Sequence, residues 1–477
     1  MNEHGRLPRW GVAPLPEAPA FTGRNVLRTV GPGVIGLGVA IGGGEWLLGP
    51  SVVVRYGATL LWITTLAVIL QTVLNLEMAR YTLYTGEPIL IGFMRTRPGP
   101  GFWGWTYSLL SLLQYGWPGW ALASATATAA IVLGRLPAEA DKGVVIALGY
   151  LTFGACFALV FAGRKVERTL EHAMWLLMAW VFMYLLVMDL ATVSASNWQR
   201  VFSGLTRPGR LPEGGDWLLL AAFAAYSGLG GMGNAYITHW MRDKGFGMGA
   251  TVGFIPGARG RGVEVSPHGN VFPVDAGSLR AWRGWWHFLN VDQWGIFALG
   301  SIGGMALTAV LTLEYVPAGS AVGGWAVANL QAAAIERLHG RLHGVLAMLC
   351  GLWVLFSTQL GIVDGLPRSI TDMLWSGSAT VRRWRGGDIR AVYAVVLLVF
   401  AAWGCVALNL AQPLTLLVVG ANIAALNLVF LSIHTLVLNR RVLPPELRPS
   451  RLRESGLLLC ALFYGSFALA TGLQLLH

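Results

Sequence analysis

Long apolar runs separated by short, arginine-rich loops extend along the whole chain. A helix needs about 20 mostly apolar residues to cross a bilayer, and eleven of these runs are long enough. The predicted spans cover residues 29–56, 58–82, 103–133, 143–163, 170–194, 216–241, 291–313, 343–365, 391–409, 412–437 and 455–475. The pattern therefore predicts an all-α polytopic membrane protein with eleven transmembrane helices.

Two glycine-rich segments interrupt the first and the sixth of these runs. The first contains three consecutive glycines, 42–44, directly before Glu45, and the second covers residues 228–234. Each glycine in a helix interior costs about 1 kcal/mol relative to alanine, so three in succession favour unwound backbone. Unwound backbone at membrane depth is tolerated only where it is buried in protein or lines a cavity. A matched pair of broken helices predicts the solute site of a secondary transporter.

The two breaks open two sets of five spans, over residues 26–195 and 216–437. Because five is an odd number, the second set inserts with the opposite orientation, which predicts an inverted repeat. The last span, 455–475, is then an addition. Residues 1–25 are predicted to form a cytoplasmic tail, and the glycine-rich residues 242–290 a flexible cytoplasmic loop.

The distribution of charge supports this topology. Only 12% of the 477 residues are charged, whereas a soluble protein carries about a quarter. With a cytoplasmic N-terminus, most of the 34 lysines and arginines fall in cytoplasmic segments, as expected of a multi-pass protein of the cell (inner or plasma) membrane. The net charge of +11 therefore reflects topology and predicts no nucleic-acid partner; the predicted partners are the lipid bilayer and a small solute.

Motifs of enzymes are missing from the sequence. We find no phosphate-binding loop, no nucleophile with its base and no spaced metal ligands, and the four cysteines are scattered among the spans. The sequence thus predicts a protein that is not an enzyme and has no cofactor other than a coupling proton or sodium ion.

Glu45 is the predicted anionic group of the solute site. A charged side chain near the bilayer centre costs about 3 kcal/mol on insertion scales, so it needs a cavity or a partner. Two interpretations stay open: Glu45 binds a cation, as a metal ligand or as the coupling site, or it only caps the second half-helix. Asn234 holds the matching position in the second break. The predicted solute-binding residues are Gly42, Gly43, Gly44, Glu45, Gly230, Gly231, Met232, Gly233, Asn234, Gln359 and Asn422.

Several other polar residues inside the spans have more than one interpretation. The amides of Gln359 and Asn422 either line the cavity or bridge neighbouring helices. His239 is a further candidate for proton coupling, although neither it nor His434 has a predicted partner. Four acidic residues near the ends of spans are predicted to be solvated or to face loops, namely Glu77, Asp189, Asp292 and Asp364.

Several short motifs resemble those of the Nramp family of proton-coupled divalent-metal transporters, in the same order over nearly the whole chain. They are Gly31-Pro32-Gly33, Leu60-Leu61-Trp62 through Ala79-Arg80, Thr85-Gly86, Arg164-Lys165-Val166-Glu167, Asn234 with Tyr236, and Phe356-Ser357-Thr358. The resemblance implies a leucine-transporter-like bundle of two five-helix inverted repeats plus one helix. It also implies transport by alternating access.

The chain departs from the family where the family binds metal. The family's Asp-Pro-Gly-Asn break aligns with residues 42–45, which places Gly42 at the aspartate ligand and Glu45 at the asparagine ligand. Its Met-Pro-His break aligns with residues 231–233, and no acidic residue occurs between Glu87 and Glu139. The prediction is therefore a transporter of a small cation such as Mg²⁺ rather than Mn²⁺ or Fe²⁺. The alternatives are a transporter of a small organic solute such as an amino acid, and a non-transporting sensor.

Overall fold

Helices account for nearly all regular structure in the computed structural model, which describes residues 7–162, 166–256, 265–320 and 329–476. The α-helices, α1 to α20 in chain order, are Gly23–Thr29, Pro32–Ala40, Gly49–Tyr56, Trp62–Thr85, Ile89–Met94, Pro100–Tyr115, Gly119–Leu133, Lys142–Ala162, Val166–Thr192, Ala195–Thr206, Trp217–Tyr226, Met232–Lys244, Ala276–Asn290, Leu299–Tyr315, Leu330–His339, Arg341–Gly377, Ala379–Arg383, Ile389–Ala407, Pro413–Val442 and Arg451–Leu476. Two π-helices, Ile41–Leu48 and Val291–Ala298, join α2 to α3 and α13 to α14.

Eleven spans cross the bundle between two faces. Nine of them are helices that, within the described ranges, are long and apolar enough to cross a membrane. The other two, spans 3 and 6, each consist of two shorter helices, α6 with α7 and α11 with α12. The prediction of an all-α polytopic membrane protein is confirmed. We call the side where span 1 begins and span 2 ends the N-terminal face, and the opposite side the C-terminal face.

Span 1 is interrupted at the predicted place, but its backbone is wound rather than open. The π-helix Ile41–Leu48 pairs each carbonyl with the amide five residues later, as between the Gly44 oxygen and the Gly49 N–H. The glycines allow close packing instead: a Cβ on Gly44 would lie 1.9 Å from the Tyr226 carbonyl oxygen, and one on Gly42 2.2 Å from Thr358 Oγ1. The prediction of unwound backbone at residues 42–44 is therefore wrong in this conformation.

Span 6 is open between Tyr226 and Met232, as predicted. Gly228, Gly230 and Gly231 adopt φ angles of +114°, +67° and +53°, which side-chain-bearing residues rarely adopt. The gap closes earlier than expected, because Gly233 and Asn234 already belong to α12.

Span 3 contains a break that the sequence analysis missed. The chain leaves the helix at Gly116 and re-enters it after Pro118, which has no N–H to continue the hydrogen-bond ladder. The Gly116 carbonyl oxygen accepts a hydrogen bond of 2.8 Å from Trp403 Nε1 instead. The prediction of one continuous helix over 103–133 is therefore wrong.

The segment between spans 6 and 7 is packed over its described part, not a flexible loop. Strand β2, Asn270–Val271, pairs in parallel with β1, Gly11–Val12, from the N-terminal tail. Trp285 Nε1 donates to the Pro16 carbonyl oxygen at 2.8 Å, which fastens the tail to α13. The glycine-rich residues 257–264 lie outside the described residues, as do 163–165 and 321–328.

Candidate functional site

The gap in span 6 lies against the π-helix of span 1, and side chains of other spans bind its polar backbone. Gln71 of span 2 donates through Nε2 to the carbonyl oxygens of Ala225 and Ser227, at 3.1 and 3.0 Å. Its Oε1 accepts from the Gly230 N–H at 2.9 Å. One buried amide thus satisfies three backbone groups that the missing helical turn leaves open.

Span 3 supplies the second support of the gap. Gln114 Nε2 donates to the Gly230 carbonyl oxygen at 2.8 Å, and Gln114 Oε1 accepts from the Met232 N–H at 3.0 Å and from Asn427 Nδ2 at 2.7 Å. Tyr115 OH donates to the Leu229 carbonyl oxygen at 2.6 Å. The Gly230 carbonyl, a predicted cation ligand, therefore binds protein donors in this conformation.

Replacement of Gln114 by leucine is expected to destabilise the protein by about 2 to 6 kcal/mol, because the buried Met232 N–H and Asn427 Nδ2 lose their acceptor at about 1–3 kcal/mol each. The Gly230 carbonyl oxygen keeps the hydroxyl group of Tyr115 as its donor. Unfolding of the purified variant in detergent with increasing SDS measures this loss. Gln412→Leu, at the half-buried start of span 10, is the matched control and should change stability little, because its side chain makes only a 3.4 Å hydrogen bond to Glu139. Equal stability of Gln114→Leu and wild type would contradict the assigned role.

Aromatic rings fill the space beside the two glycine segments. Tyr115 and Tyr226 stack with centroids 6.4 Å apart, and Trp120 lies 5.8 and 5.5 Å from them. A Cβ on Gly43 would lie 3.1 Å from Trp120 Nε1. Trp120 Nε1 and the nearby Gln359 Nε2 are buried donors without a hydrogen-bond partner among the described residues. The rings must therefore move if a solute is to occupy this place.

Glu45 lies on the other side of the π-helix. Its side chain is fully buried, neither carboxylate oxygen has a hydrogen-bond partner among the described residues, and its Cγ lies 3.7 Å from the Cβ position of Gly304 in span 7. Residues two positions apart in a helix do not share a face, so Glu45 and Gly43 have different neighbours. This conformation therefore does not bring Glu45 together with the gap in span 6.

Two predicted amides remain, Gln359 and Asn422, and they have different neighbours. Gln359 Oε1 accepts from the Ala121 N–H at 3.2 Å, beside the aromatic rings. Asn422 bridges helices instead, because its Nδ2 donates to the carbonyl oxygens of Leu218 and Val418 at 3.1 and 2.8 Å. Asn427, also in span 10, was not predicted as a site residue, but it donates to Gln114, which binds the backbone of the gap.

Asn234 begins a chain of buried amides that leads to the start of span 1. Its Nδ2 donates to Asn75 Oδ1 at 2.9 Å, and Asn75 Nδ2 donates to Gln293 Oε1 at 3.0 Å. Gln293 Nε2 then donates to Asp292 at 2.8 Å, and Asp292 accepts from the Gly31 N–H at 3.0 Å. The chain joins spans 6, 2, 7 and 1. Asp292 is therefore fully buried, and its prediction as a solvated residue is wrong.

A buried charge network closes the N-terminal face between spans 6 and 8. Arg368 donates to both oxygens of Asp364, at 2.9 and 2.7 Å, and also to Asp243. Arg242 donates to Asp372 at 2.6 Å, and His239 Nδ1 contacts the same carboxylate at 2.6 Å. His239 is thus a network member, not an isolated histidine. The prediction that acidic residues near span ends are solvated fails for Asp364 here, and it also fails for Glu77 and Asp189.

The start of span 1 is held on the same face. Lys244 of span 6 pairs with Glu171 of span 5, and the Cβ position of Gly31 lies 2.8 Å from atoms of both. Nearby, Glu87 pairs with Arg95; burial raises the pKa of the Glu87 carboxyl, but the charge of Arg95 and hydrogen bonds outweigh it and lower that pKa below its usual value. The ion pair therefore persists through the neutral pH range.

The C-terminal face is indented where span 1 ends. A cavity of about 880 Å³ lies among the ends of spans 1 and 7 and helix α10, with Tyr56, Arg200, Arg207 and Thr312 in its wall. The conformation is thus closed by charge pairs on the N-terminal face and recessed on the C-terminal face. Within the described ranges, no group of three or more histidine, cysteine or acidic residues could hold a metal ion.

Comparison with solved structures shows the fold of a known transporter. The manganese transporter of Eremococcus coleocola, in complex with an aromatic bis-isothiourea substituted compound, superposes with a TM-score of 0.63 at 15% identity, over 95% of this chain and 88% of that one. A mutant of that transporter superposes with a TM-score of 0.62 over 97% and 89%. No family model and no curated protein matches the chain. The chain therefore has an Nramp-like fold, the leucine-transporter-like arrangement that the sequence motifs implied.

Proposed function

We propose that this chain is a secondary active transporter that carries a small cation across the cell membrane by alternating access. The observation that carries the proposal is Glu45: a carboxylate buried in span 1 with no partner for either oxygen among the described residues. An unpaired carboxylate in a low-dielectric interior is costly, so it takes up a proton or binds a cation. The Nramp-like fold and the open segment of span 6 support transport.

Hydrated Mg²⁺ is the first candidate for the cation. Mg²⁺ dehydrates reluctantly and is usually bound through one or two carboxylates while it keeps several waters. A single glutamate in a site without a cluster of other ligands fits that behaviour better than it fits Mn²⁺ or Fe²⁺. The distribution of basic residues supports a cytoplasmic N-terminus, so the closed N-terminal face is proposed to be the cytoplasmic one.

A second candidate, a small organic solute, is favoured by the unpartnered donors beside Gly43. Trp120 Nε1 and Gln359 Nε2 suit a carboxylate or carbonyl group on a solute that displaces the aromatic rings. Glu45 would then hold the coupling proton or sodium ion. Trp120→Phe, which removes only the donor and keeps most of the ring area, separates the two: it should weaken uptake of an organic solute and leave cation uptake intact.

Uptake into proteoliposomes tests both candidates together. Vesicles with the purified protein are offered Mg²⁺, Mn²⁺, Na⁺ and a set of zwitterionic amino acids, with and without a pH gradient, and empty vesicles serve as the control. We expect saturable uptake of Mg²⁺ above that of Mn²⁺. Uptake of an amino acid alone would select the second candidate, and absence of uptake of every solute would support a sensor.

A further inference from the structure

A deep apolar groove lies on the outer surface of the bundle, in the half of the membrane next to the N-terminal face. It has a volume of about 730 Å³ and lies between spans 3, 8 and 9. Its wall includes Trp105, Leu112, Ile370, Leu374, Val399 and Trp403. Trp105 and Val399 are 78% and 65% exposed, so the groove opens toward the lipid.

The groove has the length of one acyl chain in one leaflet. Its wall follows α16 from Leu366 to Gly377, eleven steps of about 1.5 Å, or roughly 17 Å, and α6 from Pro100 to Leu113, thirteen steps or roughly 20 Å. The hydrocarbon of one leaflet is about 15 Å thick, half of the bilayer core. One end lies at Pro100 and Ser378, where α6 begins and α16 has ended on the N-terminal face. The other end lies at Trp117 and Trp403, beside the break of span 3.

The end on the N-terminal face carries positive charge. Helix α17 follows Ser378 directly and is held against the end of α16, because Arg382 donates to the carbonyl oxygens of Trp375 and Ser376 at 2.7 and 3.0 Å. Arg383 and Arg385, just beyond, are exposed. Basic residues at the end of an apolar groove complement a lipid whose head group is negative.

We propose that this groove binds one anionic glycerophospholipid, with an acyl chain in the groove and the phosphate at Arg383 and Arg385. The site is independent of the solute site in its chemistry, but the two share span 3. Trp403, in the groove, donates to the Gly116 carbonyl oxygen, and the break at Gly116–Pro118 separates Tyr115 from Trp120 at the centre of the bundle. The bound acyl chain packs on Trp117 and Trp403 and stabilises that break.

Native mass spectrometry of the purified protein tests this proposal without measuring transport. The protein in mild detergent is offered phosphatidylglycerol or phosphatidylcholine with identical acyl chains. We expect one retained phosphatidylglycerol and about a 25-fold preference over phosphatidylcholine, because each of the two arginines near the membrane surface contributes about fivefold. Equal retention of the two lipids would overturn the assignment of the head-group site.

Two sets of variants locate the lipid. Gly104→Phe should fill the groove and abolish retention, because a Cβ there would meet only Met94 Cε at 3.7 Å and the fold accommodates the ring. Gly154→Phe, at an open position on span 4, is the matched control and should retain the lipid. Retention by Gly104→Phe at the wild-type level would overturn the proposal.

The head-group contact has its own pair of variants. Arg383→Gln with Arg385→Gln should keep a bound lipid but lose the preference for phosphatidylglycerol. Arg441→Gln, an exposed arginine on the same face at the end of span 10, should keep that preference. The same preference in the double variant and the wild type would exclude these arginines as the anion site.

Discussion

Glu45→Gln is expected to abolish cation-dependent uptake, by at least about a hundredfold, and yet to leave the protein as stable as the wild type or more stable. Glutamine keeps the shape of the side chain but removes the negative charge that a cation requires. It also removes an unpaired buried carboxylate, whose desolvation opposes folding. Initial uptake rates in proteoliposomes and thermal unfolding of the same preparation measure both effects.

Asp189→Asn is the matched control for this variant. Asp189 is also fully buried and has no hydrogen-bond partner for either carboxylate oxygen among the described residues, but it lies near the end of span 5. It should share the effect on stability and keep wild-type uptake. Unchanged uptake by Glu45→Gln would remove Glu45 from the mechanism and leave its burial unexplained.

Arg368→Ala is expected to destabilise the protein by about 3 to 5 kcal/mol, the usual cost of leaving a buried charge without its partner. Asp364 would lose the guanidinium that balances it, and Asp243 would lose one of its two arginine partners and keep Arg242. The free energy of unfolding in SDS-containing mixed micelles measures the effect. Because the network joins spans 6 and 8 on the N-terminal face, the variant should also expose that face to water-soluble reagents.

An exposed ion pair provides the comparison. Arg440 pairs with Glu454 at 2.7 Å, and its side chain is 55% exposed, so Arg440→Ala should cost less than about 1 kcal/mol. A loss of stability in Arg368→Ala as small as that in Arg440→Ala would mean that the buried network contributes little to closing the N-terminal face.

The sequence alone was sufficient for the spans and for one of the two breaks. The length of the apolar runs predicts the spans. The gap in span 6 is predicted by its cluster of glycines, because Gly228, Gly230 and Gly231 adopt backbone angles that favour glycine. The glycines of span 1 gave the same signal for a different reason. There the lack of a side chain leaves room for the Tyr226 carbonyl and the Thr358 hydroxyl to pack against the helix. These neighbours lie far away in the chain, so the sequence does not reveal the reason.

The polar contacts of the site could not be read from the sequence in the same way. Gln71 and Gln114 are single amides in apolar spans, and their importance depends on a gap 159 and 116 residues away. Position along a helix is the only indication of membrane depth that the sequence offers, and it predicts that acidic residues near span ends are solvated. Asp364 is buried instead, because Arg368 pairs with it and also with Asp243, which lies 125 residues away in the chain. That distant partner cannot be recognised in the sequence. The break in span 3 had a visible signal, Gly116 and Pro118 within one predicted helix.

The distance between spin labels on the N-terminal face tests the central claim most directly. Labels at Arg28, before span 1, and Arg441, at the end of span 10, are introduced after Cys405, the exposed native cysteine, is replaced by alanine. We predict that the cation identified by uptake shifts the distance distribution in the wild-type background and leaves it unchanged in Glu45→Gln. An identical shift in both backgrounds, or no shift in either, would contradict an account in which cation binding at Glu45 drives the exchange between facing states.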